Sequence, residues 1–124
     1  MKISKGSTIA ILDDDPRMAL TVGDIAISMG LQVAIHHSVK SLLRARKENC
    51  YSLLVMDLCL PDFDGIELFD LLSTDKQREK VLLMSGQSWP ILNAASTIAK
   101  ANGIEILGVL QKPFRKREFA SAIG

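Results

Sequence analysis

Leu53-Leu54-Val55-Met56-Asp57 is a continuous apolar run closed by a carboxylate. Apolar and polar residues do not alternate in it, so neither side of the segment is patterned to face water. A short run of this kind suits a strand buried on both faces, as in a parallel sheet. The same form recurs to either side. Ile9-Ala10-Ile11-Leu12 runs into Asp13-Asp14, and Val81-Leu82-Leu83-Met84 runs into Ser85-Gly86. Ile106-Leu107-Gly108-Val109-Leu110 runs into Gln111-Lys112-Pro113. Leu31-Gln32-Val33-Ala34-Ile35 is weaker and partly alternating, which suits an edge strand.

Helical patterns separate these runs. Met18, Val22, Ile25, Ala26 and Met29 share one helical face. Asp15 is the expected N-cap of that helix, Pro16 its first residue and Gly30 its end. Ile66, Phe69 and Leu72 form a second stripe, and Ile91, Ala94, Ala95 and Ile98 a third after Trp89-Pro90. Val39 to Lys47 and Arg115 to Ile123 complete five helices. Strand and helix therefore alternate five times, which predicts an α/β sandwich with right-handed crossovers and helices on both faces.

Length and composition agree with one packed domain, residues 1–124. At 124 residues and 48% hydrophobic, the chain buries enough surface for a real core. Its apolar runs are far shorter than the roughly 20 residues that cross a bilayer. Met1-Lys2-Ile3-Ser4-Lys5-Gly6 is not a signal peptide. The chain is accordingly expected to be soluble and cytoplasmic, with no membrane partner. A formal net charge of +1 and 5% aromatic residues give no basis for direct nucleic-acid binding. Cys50 and Cys59 match neither a metal-site spacing nor a disulfide framework, and are expected to be reduced.

In a doubly wound sheet the ligand site lies beyond the carboxyl ends of the strands. Residues at those ends should therefore carry the chemistry, and here they are Asp13, Asp14, Asp57, Ser85 and Lys112. Carboxylates gathered this way repel one another unless a counter-charge joins them. Hard oxygen ligands favour Mg²⁺ over zinc. Mg²⁺ beside a carboxylate prepares it for phosphoryl chemistry, and carboxylates do form aspartyl-phosphates. Lys112 adds a second positive charge, and Ser85 a hydroxyl donor.

The segments Ile11-Leu12-Asp13-Asp14-Asp15-Pro16, Met56-Asp57-Leu58-Cys59-Leu60-Pro61-Asp62-Phe63-Asp64-Gly65, Met84-Ser85-Gly86 and Gln111-Lys112-Pro113-Phe114 closely resemble response-regulator receiver domains, the CheY-like modules of two-component signalling. The likeness covers nearly the whole chain, in order. It implies a flavodoxin-like (βα)5 three-layer sandwich whose five-stranded parallel sheet has the order 2-1-3-4-5. It implies that Asp57 is the phosphoacceptor and that Asp13, Asp14, Asp57 and the backbone carbonyl of Cys59 hold Mg²⁺. Ser85 and Lys112 then contact the phosphoryl group, and Lys112-Pro113 is a candidate cis bond. The implied partners are a sensor histidine kinase or a histidine phosphotransfer protein, with an output domain or partner under control. Dimerisation through the fourth and fifth helices is a further implication. The run from Ile106 to Phe114 is similar to receivers joined to EAL-type output domains. Two positions depart from the usual pattern or vary within it. Val109 stands where an aromatic switch residue is common, and Gln87, like Cys59, occupies a position that tunes phosphoryl lifetime.

Other readings are weaker. An aspartate-nucleophile phosphatase of haloacid-dehalogenase type would use Asp13-x-Asp15, Ser85 and Lys112. It needs a further acidic motif, yet Glu118 is the one acid after Lys112. It also leaves Asp57 without a role, so the chain is expected not to be an enzyme. A receiver-like domain that no longer takes phosphate conflicts with the intact acidic pair, acceptor, hydroxyl and lysine. Asp62-Phe63-Asp64-Gly65 fails as a calcium loop, because Leu71 stands where the bidentate Glu belongs. His36 and His37 read as surface or loop histidines away from the acidic group, and Trp89 as a packing or partner-contact residue.

Overall fold

A computed structural model of the chain describes residues 3–60, 63–73, 79–86 and 88–124. Five strands, β1 (Thr8–Leu12), β2 (Gln32–His36), β3 (Leu53–Asp57), β4 (Lys80–Ser85) and β5 (Ile106–Gln111), form one parallel sheet. Their order is β2-β1-β3-β4-β5, the expected 2-1-3-4-5. The helices are α1 (Pro16–Ser28), α2 (Val39–Arg46), α3 (Gly65–Ser73), α4 (Trp89–Ala101) and α5 (Lys116–Ile123). Cys59–Leu60 and Phe63–Asp64 add a short antiparallel pair after β3.

Successive side chains of a strand point to opposite faces, so each buried strand supplies two cores. From β1, Ala10 and Leu12 enter a cluster with Leu42, Phe69, Leu72, Ala95 and Ala99 of α2, α3 and α4. Ile9 and Ile11 enter the other cluster, with Ala19, Val22 and Ala26 of α1 and Phe119 and Ile123 of α5. The result is a three-layer sandwich. Phe69 and Phe119 are fully buried, one in each core; burial of a side chain of this kind contributes about 1.5–3 kcal/mol. No helix among the described residues is long and apolar enough to cross a membrane.

The first helix begins and ends as its residues dictate. Asp15 caps α1 by accepting from the Arg17 N–H at 3.0 Å, and Pro16 opens the helix. Gly30 turns the chain out at φ +87, a left-handed conformation glycine adopts without cost.

The third stripe needs correction. Leu92, Ala95, Ser96 and Ala99 are the residues α4 buries, whereas Ile91 and Ile98 are 50% and 40% exposed. This helix carries two neighbouring apolar rows, and periodicity alone does not choose between them. The row with the smaller side chains faces the sheet, where they permit close approach. Trp89 is also exposed. In α3, Phe69 and Leu72 are buried as expected; the side chain of Ile66 lies outside the described residues, as do Pro61, Asp62 and Gln87.

Register brings the strand ends level. Leu12 pairs with His36 and Met56, and Asp57 with Met84. Between β4 and β5 the pairing steps from Val81–Ile106 to Leu82–Gly108, leaving Leu107 as an extra residue. After that step Ser85 faces Gln111, and the Lys112 N–H donates to the Ser85 carbonyl at 2.7 Å.

Candidate functional site

The ends of β1, β3, β4 and β5 meet at one edge of the sheet. Asp13 follows β1 and is fully buried, and Asp57 closes β3 at 6% exposure. Asp14 is exposed beside them. Asp13, Asp14 and Asp57 each present a carboxylate oxygen within 4.8 Å of the others. The Lys112 ammonium reaches in from the end of β5, donating to Asp13 Oδ2 at 2.9 Å and to Asp57 Oδ2 at 3.0 Å.

The remaining oxygens of the two buried carboxylates are held by backbone. Asp13 Oδ1 accepts from the Asp15 N–H at 2.9 Å, and Asp57 Oδ1 from the Cys59 N–H at 2.9 Å. Such Asx contacts fold the following backbone over the side chain. They also orient both carboxylates, because each oxygen has its own donor. Ser85 is fully buried at the end of β4, and its hydroxyl lies 3.5 Å from the exposed thiol of Cys59.

Burial dominates the electrostatics of Asp57. It holds the carboxyl above its ordinary value, and the charge of Asp13 adds to this, against the opposing pull of the Cys59 N–H and Lys112. For Lys112, burial works against the ammonium. The hydrogen bonds and charges of Asp13 and Asp57 outweigh it and hold the lysine above its ordinary value. Among the described residues, one ammonium thus faces three carboxylates. The excess is negative, the oxygens are hard, and they converge. This donor set fits a hard divalent cation.

All the site residues expected from the strand ends are therefore neighbours. Asp13, Asp14, Asp57 and Lys112 share one cluster, Cys59 leans its backbone on Asp57, and Ser85 borders it through Cys59. Lys112-Pro113 is cis. Val109 is half-buried against the core that holds α4. Neither Cys50 nor Cys59 is in a disulfide among the described residues.

His37 is exposed in the loop after β2, as expected, but the distance of the histidines from the acidic group needs correction. Because β2 lies parallel to β1, with His36 level with Leu12, the next residues run beside the acidic turn. The Asp13 N–H donates to the His36 carbonyl at 3.1 Å, and His37 Nδ1 lies 3.0 Å from the Asp13 carbonyl oxygen. His36 itself contacts Ser41 Oγ at 2.7 Å and Tyr51 OH at 3.4 Å. Burial, then the neighbouring His37, lowers its pKa. The signal for this proximity lay in the pairing of an edge strand with the strand that ends in Asp13. Composition around the histidines does not reveal it.

A doubly wound parallel sheet with an acidic cluster, a lysine and a hydroxyl at its carboxyl edge defines a class of phospho-switch modules. The chain belongs to the family described as "Response regulator receiver domain", which it matches over residues 9–124. It is 24% identical over 117 residues to the DNA-binding transcriptional regulator NtrC of Azospirillum brasilense, covering 94% of this chain and 23% of that protein. The chain thus spans about a quarter of the length of this curated relative. A CheY-like response regulator receiver domain protein from Methanospirillum hungatei superimposes with a TM-score of 0.81 at 22% identity, over 96% of this chain and 91% of that one. A Burkholderia pseudomallei response regulator, solved with a phosphorylated aspartic acid, calcium ion and citrate, gives a TM-score of 0.79 at 19% identity, over 95% and 66% respectively.

The phosphatase reading is not supported. The family match takes in Asp57, and Asp15, which would have to be a reacting carboxylate, is occupied in capping α1.

Proposed function

We propose that Asp57 accepts a phosphoryl group from a phosphohistidine on a sensor histidine kinase or a histidine phosphotransfer protein. The observation that carries this reading is the environment of Asp57. It is a buried carboxylate, oriented by the Cys59 N–H and Lys112, beside two further carboxylates that would hold a cation. A carboxylate oxygen attacks phosphorus, the phosphorus–nitrogen bond breaks, and the leaving imidazole keeps the electron pair. Asp13, Asp14, Asp57 and the Cys59 carbonyl would hold Mg²⁺, which would neutralise charge on the phosphoryl oxygens. Lys112 pairs with the transferred group once Asp57 Oδ2 is no longer a free carboxylate oxygen, and Ser85 offers its hydroxyl.

The chain acts in this reading as a switch and not as a turnover catalyst. Ser85 and Lys112 sit on β4 and directly after β5, so the bonds they exchange on phosphorylation bias those elements and the adjoining α4 and α5. The exposed Trp89, Ile91 and Ile98 give α4 an apolar face for an output domain or a second copy of the chain. With Val109 at the end of β5, transmission proceeds without an aromatic rotor at that position. An EAL-type output domain is the proposed attachment suggested by the sequence of β5 and its exit, and the cytoplasm the proposed location.

Incubation with acetyl phosphate and Mg²⁺ is expected to add one phosphoryl group by intact mass, with acetate leaving. Asp57→Asn should abolish the gain completely. A gain that survives in that variant overturns the assignment.

A further inference from the structure

Asp13 is tied down at every polar group it has. Its N–H donates to the His36 carbonyl, its Oδ1 accepts from the Asp15 N–H and its Oδ2 from Lys112. The fourth group, its carbonyl oxygen, lies 3.0 Å from His37 Nδ1. A carbonyl oxygen only accepts, so this hydrogen bond requires a proton on Nδ1. The same peptide unit carries the Asp14 N–H. Because that unit is planar, fixing the Asp13 carbonyl fixes where the Asp14 backbone starts. Asp14 depends on this hold more than its neighbours do. Asp13 and Asp57 are buried, whereas Asp14 is exposed, so burial does not confine its carboxylate. The imidazole is itself pre-set. His36 closes β2, and Ser38 caps α2, its hydroxyl accepting from the Ser41 N–H at 3.2 Å. With the backbone fixed on both sides, His37 gives up little freedom in reaching Asp13.

We propose that His37 is a positioning residue for the acidic cluster. It holds the Asp13–Asp14 peptide so that the Asp14 carboxylate stays within reach of a divalent cation shared with Asp13 and Asp57. This rests on the metal-binding reading above and adds a residue that acts through the backbone of Asp13. Without the imidazole, the peptide is free to rotate and Asp14 turns towards water. Cation affinity then falls, while Asp57, whose Oδ1 is held by the Cys59 N–H, keeps its orientation.

Isothermal titration calorimetry with MgCl₂ on the unphosphorylated protein tests this. His37→Ala is expected to raise the Mg²⁺ Kd about tenfold, the lower end of the loss when a partner behind a metal ligand is removed. His37→Asn places an amide N–H near where Nδ1 stood, and should return the Kd to within about threefold of wild type. An unchanged Kd in His37→Ala overturns the role while leaving the metal site standing. A His37→Asn variant as weak as His37→Ala also overturns it, because the donor is then not what matters. Absence of Mg²⁺ binding in wild type overturns the metal site and this role together. Labelling by acetyl phosphate separates positioning from general damage. At saturating Mg²⁺ the rate in His37→Ala should return to that of wild type, and a rate that stays low overturns the proposal. A last measurement needs no variant. In wild type at pH 8, two-bond ¹H–¹⁵N spectra should show His37 with its proton on Nδ1. A proton on Nε2 alone rules out the bond to Asp13 and overturns the proposal.

Discussion

Two clusters of buried charge lie at opposite edges of the same sheet, and they are built differently. At the amino-terminal edge, Arg46 at the end of α2 meets Glu79 just before β4. Both residues are buried, and two parallel bonds of 2.8 Å join them. The guanidinium donates to both Glu79 oxygens in fork geometry, so each oxygen of the buried carboxylate has a donor. At the carboxyl edge, among the described residues, one ammonium faces three carboxylates, and Asp57 is held above its ordinary pKa despite its lysine. A buried carboxylate with a donor on each oxygen has its charge met. An unbalanced cluster has an unmet demand for positive charge, which a cation and a transferred phosphoryl group can together resolve. Imbalance rather than burial distinguishes the edge that works from the edge that holds.

The largest effect should come from unbalancing the structural edge. Arg46→Met leaves Glu79 buried without its partner and is expected to cost about 3–5 kcal/mol in urea unfolding. Replacing both, as Arg46→Met with Glu79→Leu, should recover most of that loss. A single variant as stable as wild type would mean that the pair is not closed off from water.

Balancing the functional edge should act in the opposite direction. Asp57 has a folded-state pKa raised above its ordinary 3.8. Between the two values the folded chain binds more protons than the unfolded one, so stability falls as pH rises through that window. At neutral pH the ionised carboxylate is therefore a net burden on the fold. In metal-free buffer, Asp57→Asn is expected to melt higher than wild type at pH 7, with the gap closing as pH falls below 4. A variant that melts lower at pH 7 would show that the Lys112 bond outweighs burial.

The smallest effect belongs to a charge pair that water already satisfies. Lys80 and Glu105 lie 3.7 Å apart at the amino-terminal edge, with the Glu105 side chain 65% exposed. Glu105→Gln should change stability by no more than about 1 kcal/mol, and less at high salt. A larger change would remove exposure as the reason that this pair differs from Arg46–Glu79.

Much of this was legible in the chain. Strand ends were readable because a strand buried on both faces must be apolar throughout and must stop at its first polar residue. Asp13, Asp57, Ser85 and Lys112 were thereby marked as site residues, and Asp15, Pro16 and Gly30 marked the ends of α1 through local backbone chemistry. What the chain did not disclose were pairings between distant positions. Lys112 lies 99 residues from Asp13 and 55 from Asp57, and Arg46 lies 33 from Glu79. That one ammonium bridges both carboxylates depends on the register of β5 after its extra residue. His37 beside Asp13, and the row of α4 that lies against the sheet, are decided in the same way. Sequence pattern carries the period and polarity of each element, because these are local. Which element stands beside which, and in what register, is settled when the layers pack.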